Sequence, residues 1–235
     1  CGADQMCQEC EVEATSCTTN QQCTGVCAGC NTETNTCQYM CEPVEYLESA
    51  GTQYIDTGIE CTNNLVVSFK GSCSTNENAA CCGGIDVANA PTYFRHHWSP
   101  FENGFAYWIM YSPGNAYPNR PPYFEVNTVY EAKVDPVNGV LTVNGVDYSF
   151  PPITSSFTTG KSYGIFGRYS NSGAIQSRPS RFYYFKMWNN DTLVRDFIPV
   201  LAPKKEGTGQ EPAMFDKVNN EIYYNAGTGT FKYGL

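Results

Sequence analysis

The chain has 235 residues, of which 41% are hydrophobic, 14% aromatic and 16% charged, enough for a small module plus one β-rich domain and too apolar for a disordered chain. Its formal net charge is −9 and its cations are scattered, Lys204-Lys205 excepted, which excludes nucleic acid and an anionic membrane surface as partners because both need clustered Lys and Arg. No run approaches the roughly 20 apolar residues of a membrane-spanning helix.

Cysteine dominates the first segment. Cys1, Cys7, Cys10, Cys17, Cys23, Cys27, Cys30, Cys37 and Cys41 come first; Cys61, Cys73, Cys81 and Cys82 follow, and then there are none. A stretch so rich in thiols and so poor in large apolar residues cannot bury a core of its own. It needs disulfides, which persist in an oxidising place, so the protein is expected outside the cell or on its surface. The unit C-x2-C-x6-C occurs at Cys7, Cys10, Cys17 and again at Cys27, Cys30, Cys37, resembling in a general way EGF-like and other knotted extracellular modules. Eight bridged cysteines allow roughly a hundred pairings, so the wiring is open. Zinc on the C-x2-C pairs is the competing reading, weakened by the lack of His in the head.

Cys1 is the odd thiol of the head. Followed by Gly2, it resembles the acylated N-terminal cysteine of a bacterial lipoprotein whose export signal has been removed; a chain trimmed at a bridged cysteine is the alternative. Membrane contact is then expected only through that lipid.

From Glu45 onward, short β-branched and aromatic runs predict strands at Leu65 to Lys70, Ala80 to Val87, Tyr93 to Trp98, Gly104 to Tyr111, Thr128 to Val134, Gly139 to Val143, Ser162 to Phe166, Arg181 to Trp188, Leu193 to Val200 and Glu221 to Tyr224. Asn138-Gly139, Asn144-Gly145, Pro113-Gly114 and the pairs Pro121-Pro122 and Pro151-Pro152 punctuate them, as turns do. With no helical period anywhere, this is an antiparallel all-β body of sandwich or barrel type. Two strands are apolar on both faces. In Gly104 to Tyr111, Phe105, Tyr107, Ile109 and Tyr111 oppose Ala106, Trp108 and Met110. In Arg181 to Trp188, Phe182, Tyr184 and Trp188 oppose Tyr183, Phe185 and Met187, and one such strand is expected to floor a binding surface. If the runs at Leu65 to Cys73 and Ala80 to Val87 form a hairpin, Cys73 pairs with Cys81 or Cys82 and Cys61 takes the other.

Three stretches carry a family resemblance: the run from Glu45 to Ile59 (EYLESAGTQYIDTGI), Leu193 to Val200 (LVRDFIPV), and Phe215 to Phe231 (FDKVNNEIYYNAGTGTF). Together they resemble LamG-like, concanavalin A-like jelly rolls of large surface and secreted proteins, over about 45–235. The resemblance implies an antiparallel two-sheet jelly-roll sandwich at 44–235, preceded by the Cys-rich module at 1–43. It also implies a first strand near Gln53 to Gly58 closing against Glu221 to Phe231, turn roles for Gly51, Gly58, Gly227 and Gly229, and a polar brace at Arg195-Asp196. It leaves the ligand open, since such folds host lectins, hydrolases, adhesion modules and structural domains.

No catalytic set stands out. Two carboxylates flanking a glycosidic bond sit about 5 Å apart. Glu125 and Glu131 are six positions apart on an extended chain, roughly 20 Å, and Glu11-Val12-Glu13 lies in the head. His96-His97 would point to opposite faces of a strand, and no G-x-S-x-G occurs. No cofactor is expected apart from structural calcium, for which Asp86, Asp135, Asp147, Asp191 and Asp216 are candidate ligands without EF-hand spacing. Asn190-Asp191-Thr192 is the only N-glycosylation sequon.

Aromatics crowd one stretch beside amides and an arginine. Sugar CH faces stack on rings while amides and Arg take hydroxyls, so Tyr93, Trp98, Trp108, Tyr111, Asn115 and Arg120 form a candidate glycan site. The competing reading makes these rings core filler. The expected function is non-catalytic recognition or adhesion, with a glycan or a surface protein as partner. The alternative is a structural subunit of an extracellular filament or surface layer, with copies of itself as partners, and glycoside hydrolysis is a distant third.

Overall fold

The computed structural model describes residues 16–19, 22–23, 27–74, 82–83, 85–86, 94–101, 104–111, 114–116, 123–154, 156, 158–170 and 175–235. Cys1, Cys7, Cys10, Cys81, Tyr93 and Arg120 lie outside them. Among the described residues there is no helix.

The head contains β1 (Ala28–Asn31) and β2 (Thr36–Tyr39), and β3 (Glu42–Pro43) leads into the body. Next come β4 (Tyr46–Ala50), β5 (Ile55–Thr62), β6 (Leu65–Cys73), β7 (Cys82–Gly83), β8 (Ile85–Asp86), β9 (Phe94–Phe101), β10 (Gly104–Tyr111), β11 (Gly114–Ala116) and β12 (Tyr123–Phe124). The chain continues through β13 (Tyr130–Asp135), β14 (Val140–Val143), β15 (Val146–Ser149), β16 (Thr158–Ile165), β17 (Gly167–Ser170) and β18 (Ile175–Ser177). It ends with β19 (Pro179–Asn189), β20 (Thr192–Pro203), β21 (Gln210–Asp216), β22 (Glu221–Tyr223) and β23 (Lys232–Gly234).

The main sheet runs β15-β14-β13-β6-β19-β20-β21-β22, with β4 on β19, β23 on β4, and β3 on β20. Against its inner face lie β5-β16-β7, while β11-β10-β9-β8-β17-β18 make a further sheet, with β12 on β10. All ladders are antiparallel except β8 with β17. The protein is thus an all-β jelly-roll sandwich with an N-terminal disulfide-stapled module.

The core is aromatic because the two layers meet through few Leu. Phe69 stacks on Phe185 at 5.7 Å and meets Phe182 edge-on at 5.4 Å, while Tyr163 of β16 reaches Phe185 at 5.7 Å across the layers. Phe166 bridges to Phe182 and Phe231 at 5.0 and 4.7 Å. Such pairs add to the area term that burying each ring supplies.

The start of the body meets the end of the chain, but not strand on strand at Gln53 to Gly58 and Glu221 to Phe231: β5 pairs with β16, and the closure runs through Thr52, Tyr54 and β4. The Ala226 and Thr228 amides donate to Tyr54 O and Thr52 O at 2.9 and 3.1 Å, and β23 pairs with β4. A Cβ on Gly227 would stand 2.1 Å from Thr52 O, so only glycine allows this approach.

Two further expectations need correction. The predicted strand Ala80 to Val87 is described only at 82–83 and 85–86, where β7 joins β16 in one sheet and β8 joins β9 and β17 in another. The β6 hairpin with that segment does not form, because β13 and β19 occupy both edges of β6.

The head is wired Cys17–Cys30, Cys23–Cys37 and Cys27–Cys41, so that each bridge crosses the next. Bridges of this kind form and persist in oxidising environments. The Cys17, Cys23 and Cys37 sulfurs lie within 4.8 Å of one another, but bridged sulfurs are not the thiolates that zinc binds; of the two C-x2-C pairs, Cys27 and Cys30 are taken up in bridges, and Cys7 and Cys10 lie outside the described residues. Cys73 is disulfide-bonded, whereas Cys61, expected in a bridge, is a thiol fully buried in the core.

The head is docked on the sandwich. Cys27 and Cys41 pack on Val200, Ala202, Ala213 and Phe215 of the main sheet's outer face, β3 extends that sheet, and the Asn220 side chain donates to Cys23 O at 3.1 Å.

Candidate ligand-binding face

The head covers the β20–β21 half of the outer face. The other half, across β13, β6, β19 and β4, has no covering element among the described residues, and its character follows from one irregularity in β19. The register with β6 shifts between Phe182 and Tyr184, placing an extra residue, Tyr183, on β19. Strict alternation would set Phe182 with Tyr184 and Trp188, as the sequence pattern suggested. The bulge instead sends Phe182, Phe185 and Met187 into the core, each fully buried, and leaves Arg181, Tyr183, Tyr184, Lys186 and Trp188 half-buried on the outer face. Gly71 makes this arrangement fit. It pairs with Phe182, and a Cβ there would stand 2.5 Å from Arg181 O and 2.8 Å from the Phe182 ring.

The outward residues form a strip in which cations alternate with rings. Tyr46 packs on Tyr183 with centroids 5.5 Å apart, and the Arg181 guanidinium lies 4.0 Å above Tyr46. Lys70 Nζ is 5.2 Å from the Tyr183 centroid, Lys133 Nζ 5.7 Å from that of Trp188, and Lys186 Nζ 6.0 Å from that of Tyr184. Exposed cation–π contacts are worth only about 0.5–1 kcal/mol each, so they orient this surface more than they stabilise the fold. Gly234 seats Tyr46, since a Cβ there would come within 2.2 Å of its ring.

Acidic groups are tied into the strip. Arg181 donates to Glu48 Oε2 at 2.6 Å through Nη2 and 3.2 Å through Nε, and this hydrogen bonding raises the guanidinium pKa further. The Tyr184 hydroxyl donates to Glu131 Oε1 at 2.5 Å; burial, followed by that bond, pushes its phenol up to about 12.

The Arg195-Asp196 brace takes concrete form at the sheet's edge. Arg195 Nε donates to Thr57 O of β5 at 3.1 Å, joining the two layers, and lies 3.6 Å from Asp216 Oδ2. Asp216 is fully buried and accepts the Asp196 and Val218 amides at 2.9 and 3.1 Å; desolvation outweighs these stabilising contacts and raises its pKa. Asp196 faces Lys217 at 3.1 Å and Lys186 at 3.4 Å. This cluster is an ion-pair network that ties β5 to the main sheet.

Of the sequence-derived glycan candidates, Trp98, Trp108, Tyr111 and Asn115 lie on β9, β10 and β11, in a different sheet from the strip. Trp98 pairs with Tyr107, Trp108 with His97, Tyr111 with Phe94 and Asn115 with Met110. Opposed residues share a face and neighbours alternate, so positions 98 and 111 fall on one face and 108 and 115 on the other. Among the candidate calcium ligands whose side chains the structure describes, none converge: Asp135 caps the Asn138 amide at 3.0 Å, Asp147 accepts Thr142 Oγ1 at 2.7 Å, and Asp191 occupies a turn with φ 62°. Asn190 is exposed beside it, with φ 48°, at the tip of the β19–β20 hairpin.

Tyr46, Lys70, Lys133, Tyr183 and Tyr184 were not singled out as site residues by the sequence. The two-sided pattern of Arg181 to Trp188 was the trace of Tyr183 and Tyr184, and without the bulge it assigned the faces differently. A second surface, an open groove of about 380 Å³, runs along the head–body junction between Tyr39, Met40, Pro43 and Pro203. No protein-family model matches this chain, and no curated protein is similar to it.

Proposed function

We propose that this is an extracellular, non-catalytic recognition protein of LamG-like, concanavalin A-like type that binds glycan on the outward face of β19. The observation that carries the reading is the row Tyr46, Tyr183, Tyr184 and Trp188, half-buried on an open sheet face beside Glu131, Lys70 and Lys133. Large apolar groups are ordinarily turned into a core; rings held in place by a bulge, with polar neighbours that can serve sugar hydroxyls, suit carbohydrate stacking. The three bridges support an exported protein.

A glycan array probed with the whole protein and with Tyr184→Ala/Trp188→Ala tests this. Binding by the parent and its loss in the variant is expected. Equal binding by both, or loss only in Trp98→Ala or Trp108→Ala, would move the site elsewhere. The structural-subunit reading draws on the junction groove and on Tyr39 beside it, 45% exposed. Sedimentation showing concentration-dependent polymers that Tyr39→Ser abolishes would favour it.

A further inference from the structure

We infer that the ligand of the β19 face is an anionic polysaccharide, one whose sugar rings carry repeated carboxylate or sulfate groups; this rests on the recognition role proposed above for that face. The acids on the strip already have partners. Glu48 is held by Arg181 at 2.6 Å with Lys232 at 3.9 Å, Asp196 lies between Lys186 and Lys217, and Glu131 accepts the Tyr184 hydroxyl. Lys70 and Lys133 differ. Both are exposed, each is poised over a ring, and neither forms an ion pair with a carboxylate among the described residues.

The sheet register sets their spacing. Lys70 pairs with Glu131, and Lys133 is two residues further along the same strand, so the two lysines are diagonal neighbours whose backbones are roughly 7–8 Å apart. They flank Glu131, giving two positive charges to one negative on a protein whose net charge is −9. An acidic surface around a locally cationic strip repels a polyanion everywhere else and so orients it. Each ammonium group also sits beside a ring face, so a stacked sugar would bring its acidic substituent to the lysine. A neutral glycan would leave both ammonium groups unused.

Binding of the full chain to two matched pairs tests this: polygalacturonate against its carboxyl-reduced form, and dextran sulfate against dextran. At least one anionic member should bind, and its neutral counterpart about ten-fold more weakly or worse, as expected from losing hydrogen bonds to charged groups. The exposed-residue variant Lys70→Gln/Lys133→Gln should lose about ten-fold in affinity for the anionic member and most of its salt sensitivity. Comparable binding of a neutral counterpart, or full affinity in the variant, overturns the anionic assignment while recognition at the face stands. If no polymer of either pair binds and the glycan array is also silent, recognition at the face falls with it.

Discussion

Gly71 and Phe182 face each other across β6 and β19 with no room for a methyl group, since a Cβ on Gly71 would stand 2.8 Å from the Phe182 ring and 2.5 Å from the carbonyl oxygen of Arg181. The bulge that follows turns Tyr183 and Tyr184 outward, so this contact links core packing to the candidate binding face. Gly71→Ala should cost roughly 1–3 kcal/mol, the usual range for overpacking a close-packed site. The urea midpoint should fall with an unchanged slope.

The Tyr184 phenol, raised to about 12, should be visible in an alkaline titration. A folded-state pKa above the unfolded value near 10 means that its contribution to stability is intact below about 10 and is lost as pH rises towards 12. Difference spectra of the wild type against Tyr184→Phe should therefore show a tyrosine ionising near 12 that the variant lacks. A missing ionisation nearer 10 would mean that the phenol is not buried against Glu131.

Asp216 has a raised pKa because it is desolvated. The sign is again that of a raised group: its contribution is fully present below the unfolded value near 3.9 and declines as pH rises through the folded one. The stability of the wild type relative to Asp216→Asn should thus fall as pH is taken upward from about 4. Loss of the Arg195 partner offsets the whole curve, so the slope is the readout, and a flat difference would contradict the assignment.

The head predicts a stability effect of its own. Cys27–Cys41 closes a loop with sequence separation 14, for which chain-entropy reasoning gives about 3 kcal/mol. Its sulfurs also cover Val200 and Phe215. Cys27→Ser/Cys41→Ser should lower the unfolding midpoint and increase hydrogen exchange in β20 and β21, reported by peptide mass spectrometry. Increased exchange confined to the head would mean that it is not docked.

Much of the fold was legible because strands alternate locally: Gly104 to Tyr111 coincides with β10, and Leu193 to Val200 and Arg181 to Trp188 fall inside β20 and β19. Gln210–Asp216 was missed because Pro212 demotes a strand reading, although here Pro212 pairs with Leu201. The head's wiring and the docking of Cys27–Cys41 on Phe215 depend on contacts between distant segments, which residue spacing does not encode. For the same reason the face of Tyr184 could not be assigned: its direction depends on a register shift against β6 that Gly71 permits.

Hydroxyl-radical footprinting with a bound polysaccharide tests the central claim most directly, because it reads the rings themselves. The account predicts protection of Tyr46, Tyr183, Tyr184 and Trp188 on ligand binding, with Trp98, Trp108 and Tyr111 unchanged. Protection of those three, with the β19 rings as reactive as in the free protein, would contradict it.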